Sequence, residues 1–220
     1  MFYNFLRKIF SIKKHKELSY KREEEMDEKQ GREYHTIVLA ALLHDIGKFY
    51  QRGLDEKERK SRNHASLGLE CFQKFFSEKI KIILGEEEKE RIASTINTHH
   101  DNAGFVTLAD ALSAGMEKIA LDEEETENPS EECLLSIFDA ISLGNHRKND
   151  QQQYAYYLKP LSLEKKDLFP GKYYKQILTA EYNSLWENFI TEIKYITAVN
   201  SRSYLNGLYA VLQKYTCCIP

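Results

Sequence analysis

YHTIVLAALLHDIGKFYQ, running from Tyr34 to Gln51, is the stretch whose reading decides the fold. Ile37, Leu39, Ala40, Leu42, Leu43, Ile46 and Phe49 cover nearly every side of a helix. A helix that is apolar all round belongs inside a bundle. Burying ionisable groups in such a place is costly, yet His44 and Asp45 stand side by side there. Neighbouring helical side chains diverge by about 100°, so the pair can serve different sides of one metal centre. A carboxylate has two oxygens and can bridge two cations, whereas an imidazole gives one directed nitrogen. Lys48 follows His44 by four and Asp45 by three, shares their face, and is placed to meet a substrate phosphate. Gly47 permits close approach of another backbone.

Working outward, residues 53–63 are charged and read as a loop opening at Gly53. A helix follows from Ala65 to Ser77, with Leu67, Leu69, Phe72, Phe75 and Phe76 inward, and another from Glu87 to His100 carries Ile92, Ala93 and Ile96 on one face. Asp101, Asn102 and Gly104 read as a helix stop, and Val106 to Leu121 as a further helix. These helices bring four histidines and two aspartates into play: His64 at a helix start, His99 and His100 at a helix end, and Asp110 within a helix, beside His44 and Asp45. The set is costly to bury together without a cation. Mixed imidazole and carboxylate donors suit Mn, Fe, Co, Ni or Zn better than calcium. Two such ions can clamp an in-line phosphoryl displacement. His35 lies nine residues before His44, on the opposite side of the helix at about 100° per residue, and is left out of the site. His15 and His146 sit in polar surroundings and read as surface groups.

Upstream, residues 1–33 form a basic and polar extension. Phe2, Phe5, Leu6 and Ile9 could line one helical face among Arg7, Lys8, Lys13, Lys14 and Lys16, but a loosely ordered extension is the preferred reading. Met26 is a candidate true start. Residues 34–121 form the helical domain. Residues 122–132 hold seven acids and no base, and read as a solvated linker. Beyond it, residues 133–220 read as a small α+β segment: Cys133–Leu143 and Tyr154–Leu161 are β-prone and could pair as a hairpin, and helices follow over Lys172–Ala198 and Ser203–Tyr215. The fold class is mostly α.

The 220 residues are 42% hydrophobic and 30% charged, with a net charge of −3. This suffices for a real core and argues against a general nucleic-acid coat protein. Cys71, Cys133, Cys217 and Cys218 form no CxxC pair and read as reduced thiols of a cytoplasmic protein. No apolar run approaches the ~20 residues of a membrane span.

The motifs AALLHDIGKFYQR, NHASLGLECF, INTHH and LADALSAGMEK, in this order, resemble the HD superfamily of metal-dependent phosphohydrolases. In the usual order a lone histidine precedes the His-Asp pair. Its absence makes the chain similar to the permuted HD nuclease domain of the large signature subunit of type III-A (Csm-type) CRISPR effector complexes, the Cas10/Csm1 family. LLSIFDAISL, YYLKPL with LFPG, EYNSLWENF and LQKYTCCIP extend the resemblance over residues 34–220. The resemblance implies a single-strand-specific deoxyribonuclease that uses divalent transition metals, Mn, Ni or Co, as a pair. It implies action beside other subunits of a complex that carries a guide RNA. It assigns His44, Asp45, His64, His99, His100 and Asp110 to the metal site, His44, Asp45 and Lys48 to catalysis, and Lys48 and Arg52 to phosphate contacts. The GGDD motif of the family's palm, which makes cyclic oligoadenylates, does not occur here. The expectation is therefore a fragment or split subunit, with 133–220 the start of the first palm region. Two other readings stay open: an HD phosphohydrolase acting on small nucleotides, and a catalytically silent assembly module.

Overall fold

The His-Asp pair does not lie within a helix; it breaks one. A computed structural model, which describes residues 28–100, 104–118, 133–136, 154–172 and 179–219, ends helix α1 (Glu28–Leu43) just before His44 and starts α2 (Ile46–Arg52) just after Asp45. The single helix expected over 34–51 is thus two. The His44 ring sits 2.8 Å through Nδ1 from the Ala41 carbonyl, and Asp45 takes φ −101° and ψ 11°, in the bridge region where many active-site residues sit. Periodicity could not show this, because the apolar pattern runs on across the break.

Helix α3 (Glu56–Ser61) fills the segment expected to be loop. It has no buried residue, so hydrophobic periodicity is silent about it. It forms by local means: the Asp55 carboxylate accepts from the Glu58 amide at 2.9 Å, with acids in its first turn and bases in its last. Helix α4 (His64–Phe75) matches the expected 65–77 helix and is capped by Asn63, whose Oδ1 accepts from the Ser66 amide at 2.7 Å. Helix α5 (Ser77–Leu84), absent from the sequence reading, continues α4 past a kink at Phe76 and buries Ile80 and Leu84. Gly85, at φ +101°, turns the chain into α6 (Glu86–Thr98), and α7 (Phe105–Lys118) follows. Both lie close to their expected ranges.

The β-prone segments pair antiparallel, as expected, over only a few residues. Strand β1 (Leu134–Leu135) sits in register with β2 (Tyr154–Tyr156), Leu134 opposite Tyr156. An unexpected strand β3 (Gly171–Lys172), reached through the short α8 (Lys165–Leu168), pairs on the other side of β2 to give a three-stranded sheet in the order β1-β2-β3. The helix expected over 172–198 is the shorter α9 (Thr179–Ile193). Helix α10 (Ser201–Thr216) closes the described chain, with Asn200 and Ser203 forming a reciprocal capping box. The expected N-terminal helical face, Met26, His15, the acidic linker and His146 lie outside the described residues.

The core does not divide at the linker. Leu39, Leu42 and Leu43 of α1 share one buried cluster with Phe72 of α4, Ile92 and Ile96 of α6, Trp186 and Phe189 of α9, and Leu208 and Leu212 of α10. A smaller cluster of Cys133, Ala155 and Tyr182 lies under the sheet. The Trp186 ring packs edge-on to Phe49 at 5.1 Å and against Tyr50 at 5.1 Å, so α9 braces the helix that follows the His-Asp pair. All four cysteines are free thiols, and burial pushes that of Cys71 up to about 12. No helix among the described residues is long and apolar enough to cross a membrane.

Candidate metal centre

Four separate elements converge on Asp45. The α1–α2 break supplies His44 and Asp45, and the first turn of α4 supplies His64. The turn after α6 supplies His99 and His100, and α7 supplies Asp110. Asp45 Oδ1 lies 3.7 Å from His64 Nε2 and 3.7 Å from His99 Nε2. Asp45 Oδ2 lies 3.3 Å from His44 Nε2 and 2.8 Å from Lys48 Nζ. His44 Nε2 is also 3.7 Å from Asp110 Oδ1, and the Nε2 atoms of His64 and His100 are 2.7 Å apart. All six expected metal ligands are therefore brought together, in two groups: His64, His99 and His100, and His44, Asp45 and Asp110. Asp45 faces both groups.

Backbone geometry aims the buried rings. His44 Nδ1 and His99 Nδ1 each lie 2.8 Å from the carbonyl three residues earlier, that of Ala41 and of Ile96. A carbonyl only accepts, so Nδ1 carries the proton and Nε2 is left to face the centre, the arrangement that orients metal-binding histidines. These two carbonyls escaped the sequence reading; the available signal was a histidine just beyond the last turn of a helix, where carbonyls are left over.

The donor set fits a cation. Asp45 Oδ1 and His99 Nε2 are buried atoms with no hydrogen-bond partner, a costly state that native interiors avoid. Donors around a tetrahedral first-row ion at ~2.0–2.2 Å lie about 3.4 Å from one another, close to the 3.3 and 3.7 Å separations here. Charge follows the same layout. Burial works against ionised Asp45, but the close rings of His44 and His99 and the charge of Lys48 outweigh it and hold the carboxyl far below its ordinary value. Burial likewise opposes a protonated His44, yet Asp110 and Asp45 push it up to about 9. Burial and the nearby Lys48 charge push His64 down to about 4, and burial and His99 lower His100. The imidazole of His64 is thus neutral at pH 7, the state that ligates metals.

Lys48 stands at the mouth of the site, 41% exposed. Arg52 is at the far end of α2, about 10 Å along the helix axis from Asp45. Its guanidinium lies over the Tyr182 ring at 5.6 Å, with Nη1 3.4 Å from the Tyr182 hydroxyl. It ties α2 to α9. His35 faces α10, its Nδ1 3.0 Å from Ser201 Oγ, outside the centre as expected.

A helical bundle that gathers histidines around a shared aspartate is the architecture of an HD phosphohydrolase centre. The HD domain family matches residues 19–144, more than half the chain, and the chain belongs to that family. It is 36% identical over 198 residues to the CRISPR system single-strand-specific deoxyribonuclease Cas10/Csm1 (subtype III-A) of Methanocaldococcus jannaschii. The match covers 86% of this chain and 24% of that protein, so the chain spans about a quarter of its relative's length. The HD domain is thus of the Cas10 kind. No solved structure matches.

Proposed function

We propose that this chain is a single-strand-specific deoxyribonuclease, hydrolysing phosphodiesters with two divalent cations of the Mn, Co or Ni type. The observation that carries the reading is the Asp45 carboxylate set between two donor groups, with one oxygen toward His64 and His99 and the other toward His44. His64, His99 and His100 would hold one ion, His44 and Asp110 the other, and Asp45 would reach both. Two such ions would supply Lewis acidity and a water acidic enough to attack phosphorus. Asp45 stands between the two donor groups, and the Ala41 and Ile96 carbonyls keep the His44 and His99 rings aimed. Lys48 turns from Asp45 to a non-bridging phosphate oxygen and steadies the charge that develops there. The relative's name supports the choice of single-stranded DNA and of a type III CRISPR system. In that setting the chain works beside other subunits and a guide RNA. The test is Mn²⁺-dependent cleavage of single-stranded DNA by the purified chain and by a variant carrying both His44→Ala and Asp45→Ala. A loss of at least about 100-fold is expected, the scale of removing a major electrostatic contributor. Undiminished cutting would reject the site. Turnover of nucleotides in place of DNA would move the assignment to a small-molecule phosphohydrolase.

A further inference from the structure

Beside the metal centre lies a cleft of about 270 Å³ between α1, α6 and the start of α7, smaller than the ~300 Å³ at which drug-sized ligand sites begin. Each of its walls leads to a residue of the centre. Along α1, Ile37 and Ala40 run toward His44; along α6, Thr95 runs toward His99; on α7, Val106 and Thr107 precede Asp110. Thr107 is about 4.5 Å and Ala40 about 6 Å along their helices from those site residues. His99 of the centre itself lines the cleft, so a group in the cleft adjoins the candidate ligands.

We propose that this cleft is a nucleobase subsite, with Phe105 stacking on the base that adjoins the phosphodiester under attack. The proposal rests on the nuclease reading above and adds where the strand is gripped. Phe105 lines the cleft and is 81% exposed, a large apolar ring that the fold leaves uncovered. Every base has a π-face, so an exposed ring grips single strands without choosing sequence. A base stacked within a duplex offers no free face, so the same ring favours single strands over double ones. The cleft is built for the neutral part of a nucleotide. Its cation, Arg91, is engaged by Glu88 at 3.0 Å and by Glu33 at 3.7 Å, whereas the ammonium of Lys48 stands at the metal centre, 2.8 Å from Asp45. The hydroxyl of the half-buried Thr95 donates to the carbonyl of Arg91 at 2.9 Å. Its oxygen then acts as an acceptor for an N–H group of a base edge. The rival occupant is a polypeptide segment laid on α7, where Leu108 and Leu112 are also exposed; it explains neither the hydroxyl nor the closeness to the centre.

The experiment compares Mn²⁺-dependent kcat/KM on an oligothymidylate and on its abasic counterpart, for the unaltered chain, Phe105→Ala and Phe105→Trp. The unaltered chain is expected to prefer the base-bearing strand about ten-fold, the scale of one stacking contact. Phe105→Ala is expected to bring that ratio near one, and Phe105→Trp to restore it. If Phe105→Ala slows both substrates equally or leaves the ratio intact, the subsite is overturned; an intact ratio with a lowered melting temperature reassigns the cleft to polypeptide. If the unaltered, folded chain cuts neither strand, the nuclease reading fails and the subsite with it.

Discussion

At the scale of single residues, the centre holds buried polar atoms that a bound cation would satisfy. Asp45 Oδ1 and His99 Nε2 are buried and unsatisfied, and each such atom weighs on stability by about 1–3 kcal/mol. Binding a cation should therefore stabilise the fold. At 100 times its dissociation constant a ligand contributes about 2.7 kcal/mol, or about 5–10 °C for a chain of this size. Differential scanning calorimetry with Mn²⁺ and then excess EDTA should show that rise and its reversal, and Asp45→Ala should abolish it. An unchanged melting temperature in the unaltered chain would mean no cation binds. The candidate ligands were legible in sequence because they form rare groupings: a histidine next to an aspartate in an apolar run, and paired histidines at a helix end. What aims them was not legible. The carbonyls of Ala41 and Ile96 that fix the rings are backbone atoms, and any residue in those places would supply them.

Elements set the distance between the two halves of the centre. Helix α2, which follows Asp45, crosses α4, which begins with His64, at Gly47 and Gly68. A β-carbon on Gly47 would stand 1.9 Å from the His64 carbonyl oxygen and 2.6 Å from the Gly68 amide nitrogen. Both obstacles are backbone and cannot rotate away, so Gly47→Ala must drive α4 from α2 and carry His64 with it. The expected cost is about 1–3 kcal/mol, read by urea denaturation, together with a weaker Mn²⁺-induced shift. Gly31→Ala is the control. It has open space around it, lies in the interior of α1, and should be neutral or stabilising by up to about 1 kcal/mol. Equal effects at the two glycines would refute the crossing as the cause. The sequence carried Gly47 as a hint of close approach without naming its neighbour. Helix types were readable where an apolar face recurs over three turns or more, as in α4 and α6, but not in the two-turn α5, although it buries Ile80 and Leu84. They were not readable in α3, held by a cap and charges, nor at the His44–Asp45 break, which leaves hydrophobicity unchanged.

For the whole molecule, the C-terminal helices complete the bundle that holds the centre. Glu192 on α9 accepts from Lys214 Nζ at 2.7 Å and from the Tyr215 hydroxyl at 2.7 Å, both on α10. Burial raises its carboxyl, but these donors outweigh that and leave it below the ordinary value. A depressed folded-state value means the clasp stabilises above the unfolded value and fades as pH falls through the folded one. Glu192→Gln should thus cost about 1 kcal/mol at neutral pH, the scale of a partly exposed pair, and nothing once acid has protonated the carboxyl. A constant difference across that range would refute the ionic origin. The seam between α2 and α9 is deeper. Trp186 is the chain's single tryptophan and is 1% exposed against Phe49. Trp186→Ala should cost about 3–5 kcal/mol. In the unaltered chain, its fluorescence reports the junction between the helices of the candidate centre and the segment beyond the acidic linker. If α9 shares the core of α1 and α2, Mn²⁺ bound at Asp45 must delay unfolding at Trp186 by as much as it delays loss of helix in circular dichroism. Two separate transitions, with only the helical one moved by metal, would show that α9 and α10 fold apart from the site they brace.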